Sequence, residues 1–367
     1  MTAPYRISPF IDPVAVEAWD AWFRWRDRSG LHDISIEDTW RRVAAALAAP
    51  ESPSDAPQWC ARFQQALSAW RLLPGERLLS SAGTGRVAWS QGPLYACLNM
   101  AGFVPPVSRF QLAAIADCAA LAVRALDNAA LIAGIPKPRL RIGLIGVAGA
   151  LHLLGLRYDS DEGRALAASF ARALAEGCFR ASVELARERG PGRGNAAAAV
   201  IRGARRGMPE SLLRDAEAFG LRHVATTAIT SQRHLAMLAN AVADALDPLM
   251  GPNHAYVFVA PGGERTVVSS GYALTVSLGD HDAATSDTLE NLGWEPQLRM
   301  RAAVQPFVDQ AIAYPLLVAH APDDRERNEA ERLASRLGLP APSWQVASRA
   351  SDASAAPVLP SSRPVVV

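Results

Sequence analysis

Apolar positions at helical spacing dominate the chain. Residues 35–48 show the pattern well, because Ser35 can cap a helix and Asp38 stands three positions after that cap. Trp40 and Leu47 then fall on one apolar face. Comparable spacing predicts helices at 14–28, 59–70, 109–134, 160–189, 209–219, 237–246, 298–313 and 324–337. Alternating β-branched residues predict strands at 256–259 and 266–276.

Two glycine-containing stretches have no such simple pattern. Residues 139–156 carry closely spaced glycines suited to close helix packing, without the strand, G-x-G-x-x-G and helix of a dinucleotide-binding unit. Residues 83–85 form a Gly-Thr-Gly turn whose backbone N–H groups are able to face a phosphate. The turn lacks the Lys and Ser/Thr of a P-loop, so a structural turn is the favoured interpretation.

An arginine-rich stretch at 191–206 is interpreted as a mobile, solvated basic loop rather than a phosphate site.

Composition removes several function classes. Half of the 367 residues are apolar, and 37 basic residues nearly balance 36 acidic ones. A net charge of +1 gives no overall field for a nucleic acid polymer or an anionic membrane. The N-terminus lacks a signal-peptide pattern, and uncharged apolar runs stay below about 18 residues. We therefore expect a cytoplasmic protein with reduced thiols.

The four cysteines stand far apart, without a C-x-x-C pair or a histidine at metal-ligand spacing. The sequence predicts no metal site. Cys60 and Cys118 fall on predicted helices, where a small buried apolar side chain is the favoured interpretation.

Several segments resemble the adenosylcobalamin-dependent (class II) ribonucleotide reductase large chains, in the same order along the sequence. They include 36–44 (IEDTWRRVA), 72–77 (LLPGER), 82–86 (AGTGR), 92–100 (GPLYACLNM), 122–128 (AVRALDN), 141–158 and 298–312 (LRMRAAVQPFVDQAI). The resemblance implies a helix-rich α/β fold, a remnant of that family's ten-stranded α/β barrel, which we expect to be incomplete. It also implies three regions: N-terminal helices at 1–80, a reduced barrel at 81–339, and a tail at 340–367 whose Pro, Ser and Ala content predicts disorder.

The same resemblance shows what the chain lacks. The family's radical cysteine stands in an Asn-x-Cys-x-Glu loop, which occurs nowhere here. Cys97 falls where the family keeps one thiol of its reducing pair, whereas the other thiol belongs shortly after 82–86. A large internal deletion near 86–92 explains the missing thiol. The C-terminal C-x-x-C that reloads the pair is also absent.

The family's phosphate loop, Pro-Thr-Gly-Thr, aligns with Ser231, Gln232, Arg233 and His234. Its following Ser-Ser-Gly aligns with Ala243, Asp244 and Ala245. Candidate site residues are therefore Cys97 as a remnant redox residue, and Thr84, Gly85, Ser231, Arg233 and His234 as substrate contacts.

We expect a catalytically inactive paralogue with a binding or regulatory role and without a functional cofactor. An intact reductase chain or a second copy would be its partner. Alternatives are retained adenosylcobalamin-dependent ribonucleoside-diphosphate reductase activity, nucleotide or cobalamin binding without turnover, and a decaying gene.

Overall fold

The computed structural model describes residues 9–104, 111–260, 263–277 and 288–347. The helices are α1 Pro13–Ala18, α2 Ile36–Ala48, α3 Ala56–Ser68, α4 Glu76–Ser81, α5 Leu112–Ile132, α6 Val147–Leu153, α7 Asp161–Arg189, α8 Ala196–Arg205, α9 Glu210–Phe219, α10 Arg233–Leu238, α11 Gly271–Ser277, α12 Leu289–Leu292, α13 Glu295–Val304 and α14 Asp324–Arg336. The strands are β1 Arg26–Asp27, β2 Gly30–Leu31, β3 Leu72–Pro74, β4 Leu94–Asn99, β5 Leu140–Ile145, β6 His254–Ala260, β7 Gly263–Ser269, β8 Leu316–Val318 and β9 Trp344–Val346. A π-helical turn spans Trp19–Phe23, and 3-10 turns span Met100–Phe103 and Gln305–Phe307.

A three-stranded sheet lies at the centre of the fold, in the order β3-β4-β5. β4 pairs antiparallel with β3 and parallel with β5. One further bridge, between Ile142 and Thr227, extends the sheet beyond β5. Within the described ranges the sheet does not close into a barrel. This agrees with the expected helix-rich α/β fold and incomplete barrel.

One long helix, α5, packs on the sheet, and a second, α7, packs closely on α5. α5 and α7 meet at Gly177, where an added Cβ would lie 2.0 Å from the backbone oxygen of Ala116. No side chain fits there, so glycine allows the two backbones to approach. The main hydrophobic cluster runs from the N-terminal helices through the central sheet to α5 and α7. This cluster holds the carboxyl ends of β4 and β5 in place.

The open edge of the sheet, at residues 226 and 227, is closed by one carboxylate. The backbone N–H groups of Thr226 and Thr227 donate to Asp309 Oδ2 at 2.8 and 3.0 Å. Arg206 donates to the other oxygen of Asp309 at 2.9 Å, and Arg202 donates to the backbone oxygen of Val224. The stretch at 191–206 therefore contains α8 and structural arginines, and the prediction of a mobile basic loop was wrong.

Three other predicted elements were also wrong. Residues 139–156 contain β5 followed by α6, because a buried parallel strand is a continuous apolar run that periodicity does not separate from a helix. The helix predicted at 237–246 is replaced by α10, which ends at Leu238 before the left-handed Asn240 and Ala241. The strand predicted at 266–276 ends at Ser269, before Gly271 (φ +75°) and α11.

The predicted tail at 340–367 starts with ordered structure. β9 pairs in parallel with β8, and Leu316 N donates to the backbone oxygen of Ser343 at 2.7 Å. Disorder was therefore the wrong prediction for β9, while 348–367 lies outside the described residues, as does the N-terminal stretch 1–8. Among the described helices, none combines the length and the apolar character that a membrane span needs.

Candidate functional site

The candidate site lies at the carboxyl ends of β4 and β5, beneath residues 240–247. Gly146 N, directly after β5, donates to the backbone oxygen of Ala243 at 2.7 Å, which seats this segment on the sheet. Three of its non-glycine residues have left-handed backbones: Asn240 (φ +64°), Ala241 (+53°) and Ala245 (+46°). Such conformations cost an alanine about 1–2 kcal/mol each. The segment therefore holds strain that the surrounding contacts must offset.

Cys97 lies in the middle of β4 and is buried. Its register partners are Leu73 in β3 and Gly143 in β5, and only 2% of its surface is exposed. Burial raises the pKa of the Cys97 thiol well above its usual range, and the charges of Asp244 and Glu76 raise it further. The thiolate is the reactive form of a cysteine, so burial favours the less reactive thiol at Cys97.

Ser231 and the neighbouring backbone bind an internal carboxylate. The Ser231 hydroxyl donates to Asp244 Oδ2 at 2.5 Å, and Gln232 N donates to Asp244 Oδ1 at 2.8 Å. Arg233 contributes a positive charge near this carboxylate. Asp244 therefore occupies the hydrogen-bond donors that a bound phosphate would need in this loop.

His234 connects α10 to two other elements. Its ring stacks on Trp22, with centroids 4.0 Å apart, and Nδ1 lies 3.0 Å from Glu76 Oε2. This contact has the distance of an ion pair, but its angles are not those of a hydrogen bond, so Nδ1 is a buried atom without a hydrogen-bond partner. His234 is thus placed between the N-terminal π-helical turn and α4.

Thr84 and Gly85 lie just beyond the other end of α4 from Glu76. The Thr84 hydroxyl donates to the backbone oxygen of Ser81 at 2.8 Å, and Gly85 has φ +78°. These features make a closed turn. The structure therefore groups Ser231, Arg233 and His234 around Asp244 and Glu76 near Cys97. The Gly-Thr-Gly turn instead lies against α2, where an added Cβ at Gly83 would be 3.0 Å from the backbone oxygen of Arg42.

A second carboxyl group, Asp247, was not predicted from the sequence. It is 5% exposed, and its Oδ1 has no hydrogen-bond partner. Burial raises the pKa of Asp247 to about 8, with the charge of Asp244 contributing, while Arg301 and Arg233 oppose the change. The spacing of two aspartates three residues apart was visible, but an apparent helix at 237–246 concealed their shared burial.

Tyr314 contacts the acidic pair formed by Asp244 and Asp247, through its hydroxyl group and Asp247. Its hydroxyl accepts a hydrogen bond from Leu246 N at 3.0 Å, and its backbone oxygen accepts one from Arg301 at 2.6 Å. The pKa of Tyr314 is raised well above its ordinary value by burial and by Asp247. The protonated phenol is thus a fixed part of the wall around Asp247.

A separate charge network joins the N-terminal helices to α5 and α7. Arg124 forms a two-point contact with Glu51, at 2.7 and 2.9 Å, and Asn128 donates to the same carboxylate at 2.7 Å. Arg189 donates to Asp127 at 2.6 Å and to Glu51 at 3.0 Å. The segment 122–128 therefore has a structural role in joining these helices.

No cluster suitable for a metal ion was found among the described side chains, judged as groups of at least three His, Cys, Asp or Glu. A comparison with curated proteins gives no match for this chain. Two family models do match: the ribonucleotide reductase all-alpha domain at residues 15–86 and the ribonucleotide reductase barrel domain at residues 95–255. Together they span well over half of the chain, in the order in which the resembling segments occur. The chain therefore belongs to the ribonucleotide reductase large-chain family.

Proposed function

We propose that this chain is a non-catalytic ribonucleotide reductase paralogue that acts by binding, with an intact reductase chain as its partner. The burial of Cys97 carries the proposal. A reducing thiol must reach both its partner thiol and the substrate, whereas Cys97 is enclosed in the sheet with its pKa raised by burial. The remaining cysteines lie on helices outside the sheet: Cys60 on α3, Cys118 on α5 and Cys178 on α7.

The electrostatics of the former phosphate loop support the same proposal. The carboxylate of Asp244 takes the Ser231 hydroxyl and the backbone N–H of Gln232. A phosphate entering here would have to displace an internal anion and would meet its negative charge. Substrate binding in the manner that the family resemblance implies is thus disfavoured by the chain's own side chain.

The residues present do not fit adenosylcobalamin as a working cofactor. Cobalamin chemistry of the family requires a cysteine that the cofactor approaches directly. Cys97, Cys118 and Cys178 are buried. Cys60 is partly exposed, but it has neither the Asn nor the Glu of the family's radical loop beside it. We therefore propose no reaction step that uses this cofactor. Class II chemistry is implied by the sequence resemblance alone.

One observation favours a second candidate function, nucleotide binding without turnover. Arg233 is only half-buried, and within the described ranges its guanidinium makes no ion pair shorter than 4.0 Å. A ligand phosphate that drew Arg233 away from Asp244 would gain a strong donor. Calorimetric titration with nucleoside diphosphates and triphosphates tests this candidate, and an Arg233→Ala variant is the control. Heats that persist in the variant would place binding elsewhere.

Activity is tested with purified protein, adenosylcobalamin, a dithiol and ribonucleotides. We expect no deoxyribonucleotide above that of a Cys97→Ala variant. Product that depends on Cys97 would contradict the non-catalytic proposal.

Partner binding is tested separately, by size exclusion with light scattering of this chain alone and with an intact reductase large chain. A mixed complex supports the proposed partner, a species of twice the chain mass supports a homodimer, and unmixed monomers would contradict both.

A further inference from the structure

The 240–247 segment and the following Pro-containing turn contain a buried acidic pair that the proposed function does not use. Asp244 and Asp247 are three positions apart, and Asp247 N donates to the backbone oxygen of Asp244 at 2.8 Å. This local turn holds the two residues in one place. It also lies within the strained stretch that includes Ala245.

The surroundings of the two carboxyl groups are unequal. Asp244 accepts hydrogen bonds from Ser231 and Gln232, both of which stabilise a carboxylate. Asp247 has a buried Oδ1 with no hydrogen-bond partner, which is costly for an ionised group. Burial raises the pKa of both carboxyl groups, but the hydrogen bonds to Asp244 lower its pKa again, so the negative charge is favoured on Asp244 and the proton on Asp247.

Charged and titratable groups face Asp247 from each element packed against it. Arg233 approaches from α10, Arg301 from α13 and Tyr314 from the segment after the Gln305–Phe307 turn, while Asp244 belongs to the same segment. Two arginines oppose two carboxyl groups at this place. Even so, burial has the largest effect on the pKa of Asp247, because its ionised carboxyl group lacks a full set of hydrogen bonds.

We propose that Asp247 carries a proton beside the ionised Asp244 while the 240–247 segment is seated on β4 and β5, and that this proton is released when the segment lifts. Seating and proton uptake are then linked, so acid tightens the segment over Cys97 and neutral pH loosens it. The proposal adds a proton-coupled conformational device and does not depend on whether the chain is catalytic.

The sign follows from the pKa of Asp247, which is raised from 3.8 to about 8 in the folded chain. A raised pKa gives stabilisation that is complete below the unfolded value and is lost as pH rises to the folded value. The opening constant of the segment should therefore increase by up to about tenfold per pH unit between pH 4 and 8. Above pH 8 it should level off.

Hydrogen exchange of the full chain, read by mass spectrometry from pH 5 to 9, tests this dependence. After correction for intrinsic exchange rates, peptides covering 240–247 should lose at least about tenfold protection between pH 5 and 8. Asp247→Asn should remove the decline. Asp244→Asn should lower the pH at which the decline levels off, because the like charge is gone.

Glu76→Gln is the matched control, since Glu76 also faces Cys97 but lies outside the pair. It should keep the wild-type decline. Infrared spectra of the wild type provide a test that needs no variant: a protonated carboxylic acid band should be present at pH 6 and lost by pH 9. A wild type with flat protection, an Asp247→Asn chain that keeps the decline, or spectra without the acid band would overturn the proposal.

Discussion

The left-handed backbone of Ala245 leads to a prediction that isolates conformational strain. Ala245 stands where the family sequence that this chain resembles has glycine, yet its φ is +46° and its side chain is fully buried. Replacing it with glycine should relieve the strain. A matched substitution is Ala239→Gly, because Ala239 is also buried, at 2% exposure, but has φ −78°.

The magnitudes separate the two variants. Each loses one buried methyl group, worth about 0.8 kcal/mol, and each gains chain freedom in the unfolded state worth about 0.5–1 kcal/mol. Ala239→Gly should therefore reduce the free energy of unfolding by about 1–2 kcal/mol. Ala245→Gly has the same two losses but recovers about 1–2 kcal/mol of left-handed strain, so its net change should be close to zero.

Urea denaturation, followed by circular dichroism and tryptophan fluorescence, measures both free energies of unfolding. The quantity of interest is the difference between the variants, since shared errors of extrapolation cancel when the slopes agree. We expect Ala245→Gly to be more stable than Ala239→Gly by about 1–2 kcal/mol. Equal destabilisation of the two variants would show that Ala245 carries no strain and would refute the reasoning.

Three further substitutions test separate contacts. Hydrogen bonds from Arg124 and Asn128, together with the charges of Arg124 and Arg189, lower the pKa of Glu51 from 4.5 to about 2 against the effect of burial. The stabilisation from Glu51 is therefore present above pH 4.5 and lost toward pH 2, so Glu51→Gln should flatten that part of a stability–pH curve, and an unchanged curve would contradict the assignment. Trp89 is 3% exposed, and its indole N–H donates to the Ala129 backbone oxygen at 2.9 Å. Trp89→Ala should therefore lower the free energy of unfolding, measured by urea denaturation, by about 3–5 kcal/mol. A decrease below about 1 kcal/mol would show that the site collapses around the gap. Asp309→Ala removes the carboxylate that binds the backbone N–H groups at the sheet edge, so it should lower the thermal unfolding midpoint. Asp161→Ala, at an exposed ion pair, should leave the midpoint nearly unchanged. Equal midpoints for both variants would contradict the structural role of Asp309.

Elements with a strong local pattern were predictable from the sequence. α2 follows the 35–48 prediction closely, and its capping box between Ser35 and Asp38 is present. The predicted α7 region is likewise confirmed, with Ser160 accepting from Gly163 N at its start. These helices have an amphipathic face and a capping side chain, both of which are encoded within a few neighbouring residues.

The segments around the site lacked that local information. The α10 region reads as a helix through 246, since alanine favours helix, but tertiary hydrogen bonds hold Asn240 in a left-handed conformation. Its side-chain oxygen accepts from Ile11 and Asp12 N at 2.8 and 3.2 Å, more than two hundred residues away in sequence. A contact of that range leaves no periodic signal, and for the same reason the burial of Asp247 was not predicted.

Residues that match the family and residues that depart from it differ in burial and in what the loss of a partner would cost. Arg124, Asp127 and Asn128, in the 122–128 segment, are buried members of one charge network. Removing one partner of such a network leaves an uncompensated buried charge, at a cost of about 3–5 kcal/mol. Ser231 and Arg233 are more exposed and tolerate new partners, as Asp244 shows by accepting from Ser231. Stability alone is therefore enough to preserve the 122–128 segment, so its presence is evidence of kinship and fold and gives no support for retained chemistry.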